Sequence, residues 1–217
     1  MHDQTYPWHR ITAVPNKSGI YAWYYRPKLT DFDINELKAE IKRASSNESI
    51  GLVSTFLKQH IFDRFAEDPY EAKVWGPLRP TFQGQLTNHI EVTPALSQRI
   101  ANNPDRLWTL KEVIEKAAPM FASPIYIGMA KNLNERISTH KALIEKYRKA
   151  NIESPPEVIP TESEDYLPHK FACSVIRRRF QPDGLEVVVK LIETNEDEFV
   201  DAENILNRIN FPICGRN

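Results

Sequence analysis

Pro124-Ile125-Tyr126-Ile127-Gly128-Met129-Ala130-Lys131-Asn132-Leu133-Asn134-Glu135-Arg136-Ile137-Ser138-Thr139-His140 holds the transition on which the fold turns. Residues 124–128 are short, β-branched and aromatic, which predicts a strand. Asn132, with Glu135 three positions later, is a capping-box-like start, and helix formers continue from about Leu133 to Ala150. On a wheel of roughly 100° per residue, Leu133, Ile137, Ile144 and Tyr147 form one apolar stripe. His140 falls inside that stripe and Arg136 falls on its edge, one turn earlier. A guanidinium turned toward a core is costly unless it is paired or meets an anion.

Working outward, Ser18-Gly19-Ile20-Tyr21-Ala22-Trp23-Tyr24-Tyr25 reads as a second strand, bounded by Pro15 and Pro27. Amphipathic helices are expected over 31–46 and 50–66, and another around 108–121. Residues 69–94 are broken by Pro69, Gly76, Pro77, Pro80 and Gly84, with short β-like pieces between. The prolines of 151–169 mark an exposed loop. Phe171–Arg179 and Leu185–Glu193 are β-rich runs around Pro182-Asp183-Gly184, which predicts a hairpin. A last helix is expected over about Glu196–Ile209. Phe199 and Leu206 define its apolar face, and Glu203 lies between them at spacings of four and three. A carboxylate there wants a metal, a cation or a hydrogen-bond network. Each misfit also has a plainer reading: an inward Arg and an inward Glu can pair with one another, and a His on an apolar face can be a satisfied core residue.

Composition bounds the function classes. The 217 residues are 41% hydrophobic and 26% charged, ordinary for a globular chain with a real core. No stretch approaches the roughly 18 apolar residues of a membrane helix, and the start has no basic cluster followed by an apolar run. A cytoplasmic protein without membrane contact is the expectation. Cys173 and Cys214 show no paired spacing, so reduced thiols fit better than a disulfide scaffold. His169 and Cys173 read as a surface histidine and a buried thiol. The net charge of −1 carries no global signal for nucleic acid. Residues 125–150, however, hold six cations against two anions, and residues 181–217 hold three cations against eight anions. That contrast suits a protein holding both phosphate and a metal ion, or two halves of a domain attracting each other.

Gly19-Ile20-Tyr21 and Tyr126-Ile127-Gly128 resemble the two halves of the GIY-YIG nuclease motif. The order continues downstream. Asn132-Leu133-Asn134-Glu135-Arg136, then His140, is similar to the helix that supplies the family's arginine and, in its restriction-enzyme branch, a histidine. Glu203-Asn204-Ile205-Leu206, then Pro212 and Asn217, is similar to the family's metal-binding glutamate and closing asparagine. The resemblance covers roughly residues 15–25 and 122–217. Family members join the two strands by a short turn, whereas 104 residues separate Tyr21 from Tyr126 here.

The resemblance implies an α+β fold. A small antiparallel sheet flanked by helices (residues 1–26 and 121–217) would carry a large, mostly helical insertion between its first two core strands. That inserted lobe, 27–120, would serve target recognition or partner contact. It implies a divalent-metal-dependent endonuclease hydrolysing DNA phosphodiester bonds, with a restriction or defence role. The alternatives are a structure-selective repair or recombination nuclease and a non-catalytic nucleic-acid-binding module. The implied catalytic set is Tyr21, Tyr126, Arg136, His140, Glu203 and Asn217. Glu203 would hold Mg²⁺ or Mn²⁺, Arg136 would meet the scissile phosphate, and a tyrosine would position or deprotonate the water. A phenol ionises near pH 10, so a nearby cation would have to lower it for the second task. His140 would relay protons near neutrality. Lys131, Lys141, Arg177, Arg178 and Arg179 are the expected nucleic-acid contacts. The expected partners are DNA and a second copy on DNA, with a further protein partner left open.

Overall fold

The alternation Gly19, Tyr21, Trp23, Tyr25 places four residues on one face of a strand, and all four are buried. In the computed structural model, which describes residues 4–67, 69–76, 79–87, 90–154, 166–192 and 196–215, this strand is β2 (Gly19–Tyr25). It follows β1 (Gln4–Pro7) and a 3-10 helix over Trp8–Ala13. Two more strands, β5 (Tyr126–Ala130) and β6 (Leu185–Leu191), complete an antiparallel sheet of order β1-β6-β2-β5. The fold is α+β with a small antiparallel sheet.

By chain contacts the molecule divides into two compact units, Met1–Lys28 with Leu110–Asn217, and Leu29–Thr109. In the first, α5 (Leu133–Ala150) buries Leu133, Ile137, His140, Ile144 and Tyr147, the stripe read from the wheel with the histidine inside it. Asn132 caps its start by accepting from the Glu135 N–H, and Asn151 ends it at a left-handed φ of 52°, which Asn tolerates. Asn134 Nδ2 donates to the Val14 carbonyl at 2.6 Å, tying the first turn of the helix to the chain before β2. The last helix, α7 (Glu196–Asn210), packs on the edge strand β5.

The expected hairpin over Phe171–Arg179 and Leu185–Glu193 is not formed. Tyr166–Arg177 is a helix, α6, packed on α5, and Pro168 sits in its first turn, where a missing N–H does no harm. Its Phe171 to Ile176 are all buried, so the helix is apolar nearly all round. Its polar residues Lys170, Ser174 and Arg177 recur at spacings of four and three, a helical period that the β-branched and aromatic content of Phe171–Arg179 obscured. Arg179 (φ 55°) ends the turn, and Phe180 stacks on Tyr25 with centroids 4.2 Å apart. Cys173 and Cys214 are buried thiols outside any disulfide, and His169 Nδ1 bonds the Tyr147 hydroxyl.

In the second unit, α1 (Asp31–Ile41) ends five residues earlier than expected and α2 (Ser46–His60) begins four residues earlier, because Ser45 and Glu48 form a capping box that restarts the helix; α2 also ends six residues short of the expected 66. The helix expected around 108–121 is α4 (Arg106–Phe121), whose first turn belongs to this unit and whose remainder belongs to the first; an unexpected α3 (Pro94–Asn102) precedes it. The β-like pieces are a two-stranded hairpin, β3 (Tyr70–Gly76) and β4 (Arg79–Leu86). A groove of about 780 Å³ lies over α1 and α2, lined by Asp33, Glu36, Glu40 and Glu48 above Leu37 and Phe56. None of the candidate catalytic residues borders it. Among the described residues, no helix is long and apolar enough to cross a membrane.

Candidate active site

Strands β2 and β5 are neighbours despite the 104 residues between their tyrosines, and their register sets Tyr21 opposite Gly128 and Trp23 opposite Tyr126. The glycine has a steric reason. A Cβ at Gly128 would lie 2.6 Å from the Tyr21 hydroxyl oxygen and 2.7 Å from its ring, so the phenol crosses the strand where only a hydrogen fits. Gly19 answers a similar demand, since a Cβ there would meet the Lys190 carbonyl at 2.2 Å. The Tyr21 and Tyr126 rings stack at 6.1 Å with 27° between planes, both buried, and their hydroxyls interact.

His140 enters this cluster from α5. Its Nε2 lies 2.9 Å from the Tyr21 hydroxyl, and its ring is walled by Trp23, Tyr126 and Phe171. Burial, with Arg136 adding to it, pushes its pKa down to about 3, so the imidazole is neutral at pH 7. Its Nδ1 is buried and has no hydrogen-bond partner. An orphaned N–H is rarer than an orphaned acceptor. We therefore assign the proton to Nε2, which donates to the Tyr21 oxygen and leaves the Tyr21 O–H to turn toward Tyr126.

Arg136, one turn earlier on α5, is partly exposed and acts electrostatically on Tyr21, Tyr126, His140 and Glu203. It lowers both phenols, but desolvation outweighs it. Tyr21 is raised well above its ordinary value and Tyr126 is raised to about 12. A cation near the phenols is present, yet their net shift runs opposite to the direction a phenolate base requires. Glu203, on the inner face of α7, is half-buried. Burial raises its pKa, while the Met129 backbone and Arg136 pull it back. Among the described residues, Arg136 and Glu203 do not close into an ion pair.

The five side chains thus come from four elements to one place. Among the described residues there is no cluster of three or more His, Cys, Asp or Glu. A half-buried carboxylate without a paired cation suits a hard ion such as Mg²⁺. That ion keeps most of its waters and takes one or two carboxylates plus substrate phosphate. Asn217 and the Phe199 side chain lie outside the described residues.

The expected nucleic-acid contacts fall in different places. Lys131 is exposed at the N-terminal end of α5, the end that carries Arg136. Lys141 lies over the Trp8 ring at 5.3 Å and donates to the Trp8 carbonyl. Arg177 and Arg179 are exposed and Arg178 is buried. All three lie toward the far end of α5, because Arg148 Nη2 donates to the adjoining Phe180 carbonyl at 2.8 Å. Arg148 is twelve residues beyond Arg136, about 18 Å along the helix.

Sequence reading missed three contributors. Trp23 and Phe171 wall the histidine, and Phe171 could not be placed while its segment read as a strand. Asn207, one turn beyond Glu203 on α7, buries an Oδ1 that has no partner. Its spacing of four from Glu203 was the available signal.

No family model, curated protein or solved structure matches the chain.

Proposed function

We propose that the chain is a divalent-metal-dependent endodeoxyribonuclease of the GIY-YIG type that its motifs resemble, hydrolysing DNA phosphodiester bonds. The supporting observation is the antiparallel pairing of β2 with β5, which gathers Tyr21, Tyr126, Arg136, His140 and Glu203 at one site. Phosphodiester hydrolysis needs a positioned water, positive charge at the pentavalent phosphate and help for the departing oxygen. Arg136 offers a planar fork to phosphate oxygens from the rim of the cluster. Glu203 would hold the metal ion, which supplies positive charge beside the phosphate.

The two phenols, kept neutral by burial, act as hydrogen-bonding groups that orient water. Neutral His140 fixes the Tyr21 hydroxyl through its Nε2. A restriction or defence role follows by analogy with the branch that carries the histidine. The raised phenols favour one second reading, a nucleic-acid-binding module that does not cut, in which the tyrosines serve packing.

Incubation of the full chain with linear, cruciform and flap DNA, with and without Mg²⁺, separates these readings. Metal-dependent cleavage that Glu203→Gln abolishes, with DNA binding retained, is the expected result. Cleavage undiminished in excess chelator or in the variant would remove the metal assignment. Binding without any cleavage by the wild type would favour the second reading. Preference for branched DNA would replace the defence role with repair.

A further inference from the structure

We propose that the groove over α1 and α2 is a docking site for a helix of a partner protein, one whose apolar stripe is flanked by lysine or arginine. The inference concerns the Leu29–Thr109 unit by itself and is independent of the nuclease reading. Asp33, Glu36, Leu37 and Glu40 recur at helical spacing and form one wall from α1. The other wall is one face of α2, from Glu48 through Gly51, Leu52 and Phe56 to His60. That span rises about 18 Å, room for about three turns of a third helix packed by ridges into grooves. Leu37 and Phe56 are buried at the floor and Leu52 is half-buried, so an apolar stripe has a surface to meet.

Charge selects the occupant. The carboxylates of Asp33, Glu36, Glu40 and Glu48 border the groove against one guanidinium, that of Arg43. Burial lowers the pKa of His60, which therefore adds no charge at pH 7. Asp33 and Glu48 are fixed in the capping boxes of α1 and α2. Glu36 and Glu40 are exposed and make no ion pair among the described residues, while the neighbouring Lys38 is paired with Asp105. A nucleic acid would bring its phosphates to this rim and be repelled. Lysine or arginine on the occupant is matched there, and complementarity of this kind also suppresses wrong partners.

Two local choices run against helix stability, and both border the groove. Glu36 and Glu40 are like charges four apart, which repel along a helix. Gly51 stands in the interior of α2, where glycine is a poor helix former, and no atom beyond its own stretch of helix lies within 4 Å of where a Cβ would project. Departures of this kind belong at functional sites. The missing side chain keeps that wall open, and a cation set between Glu36 and Glu40 relieves their repulsion.

Fluorescence anisotropy with the full chain and three labelled peptides of about sixteen residues tests the docking. The first peptide carries a leucine stripe at spacings of three and four, flanked by lysine. The second has the same stripe flanked by glutamate, and the third has the same lysines with alanine in place of the stripe. The lysine–leucine peptide should bind with a Kd on the order of 10 µM, and each of the others at least about tenfold more weakly. Gly51→Leu fills the groove with a better helix former. The variant should keep the wild-type circular dichroism, melt no earlier, and lose at least about tenfold in affinity for the lysine–leucine peptide. Glu36→Lys combined with Glu40→Lys should reverse the preference, so that the glutamate-flanked peptide binds the tighter. A lysine–leucine peptide that fails to bind would overturn the proposal, as would binding indifferent to Gly51→Leu or to removal of the stripe. Loss of duplex-DNA affinity in Gly51→Leu would also overturn it, since the groove would then be taking nucleic acid.

Discussion

Gly128→Ala is the most direct probe of the cluster. A Cβ at this position would stand 2.6 Å from the Tyr21 oxygen and 2.7 and 3.0 Å from two of its ring carbons. The ring cannot step aside easily, because it is buried, stacked on Tyr126 and bonded to His140. Overpacking of this kind costs about 1–3 kcal/mol. Displacing the phenol also breaks the Tyr21–His140 hydrogen bond and leaves both imidazole nitrogens buried without partners, a further cost of about 1–2 kcal/mol. The expected destabilisation is therefore about 2–4 kcal/mol by urea denaturation, accompanied by a large fall in cleavage. Gly51→Ala is the matched control. It lies inside α2 with nothing within 4 Å of the added methyl, so it should be neutral or stabilise by up to about 1 kcal/mol. A Gly128→Ala protein as stable as wild type to within about 0.5 kcal/mol would refute the reasoning, because the phenol would not then lie across the strand.

Three further expectations follow from the same site. Tyr21→Phe keeps the ring but strands both His140 nitrogens, so urea denaturation should find it about 1–3 kcal/mol less stable and cleavage assays much slower; wild-type stability would mean the hydrogen bond carries nothing. Arg136→Lys keeps the charge and loses the fork, so the cleavage rate should drop sharply; a rate within about threefold of wild type would place Arg136 away from the reacting phosphate. His140 titrates near 6.5 when unfolded and at about 3 when folded. Between those values the unfolded chain binds the extra proton, so stability should fall as pH drops below about 6.5, with this residue adding up to about 1.4 kcal/mol per pH unit. His140→Gln should flatten that part of the stability–pH curve, and an unchanged slope would count against a buried neutral imidazole.

What the sequence determined by itself was local and periodic. A capped start at Asn132 and a 3.6-residue repeat placed His140 in the buried stripe of α5 and Arg136 at its edge, because one helix face is decided by spacing alone. The same spacing turned Glu203 inward on α7. Alternation in Gly19–Tyr25 marked a strand buried on one face. Only the tertiary structure decided that β2 and β5 are neighbours, since strand pairing across 104 residues leaves no trace in local pattern. It also decided that Phe171 walls the histidine from a helix. The segment carried a helical period in Lys170, Ser174 and Arg177, but its β-branched and aromatic residues fit a strand as well, and the packing around it settled the choice. The protonation states were beyond the sequence for a related reason. The sequence asked for a nearby cation to lower a phenol, but how far desolvation outweighs the one that Arg136 supplies depends on how completely the fold removes water from Tyr21 and Tyr126.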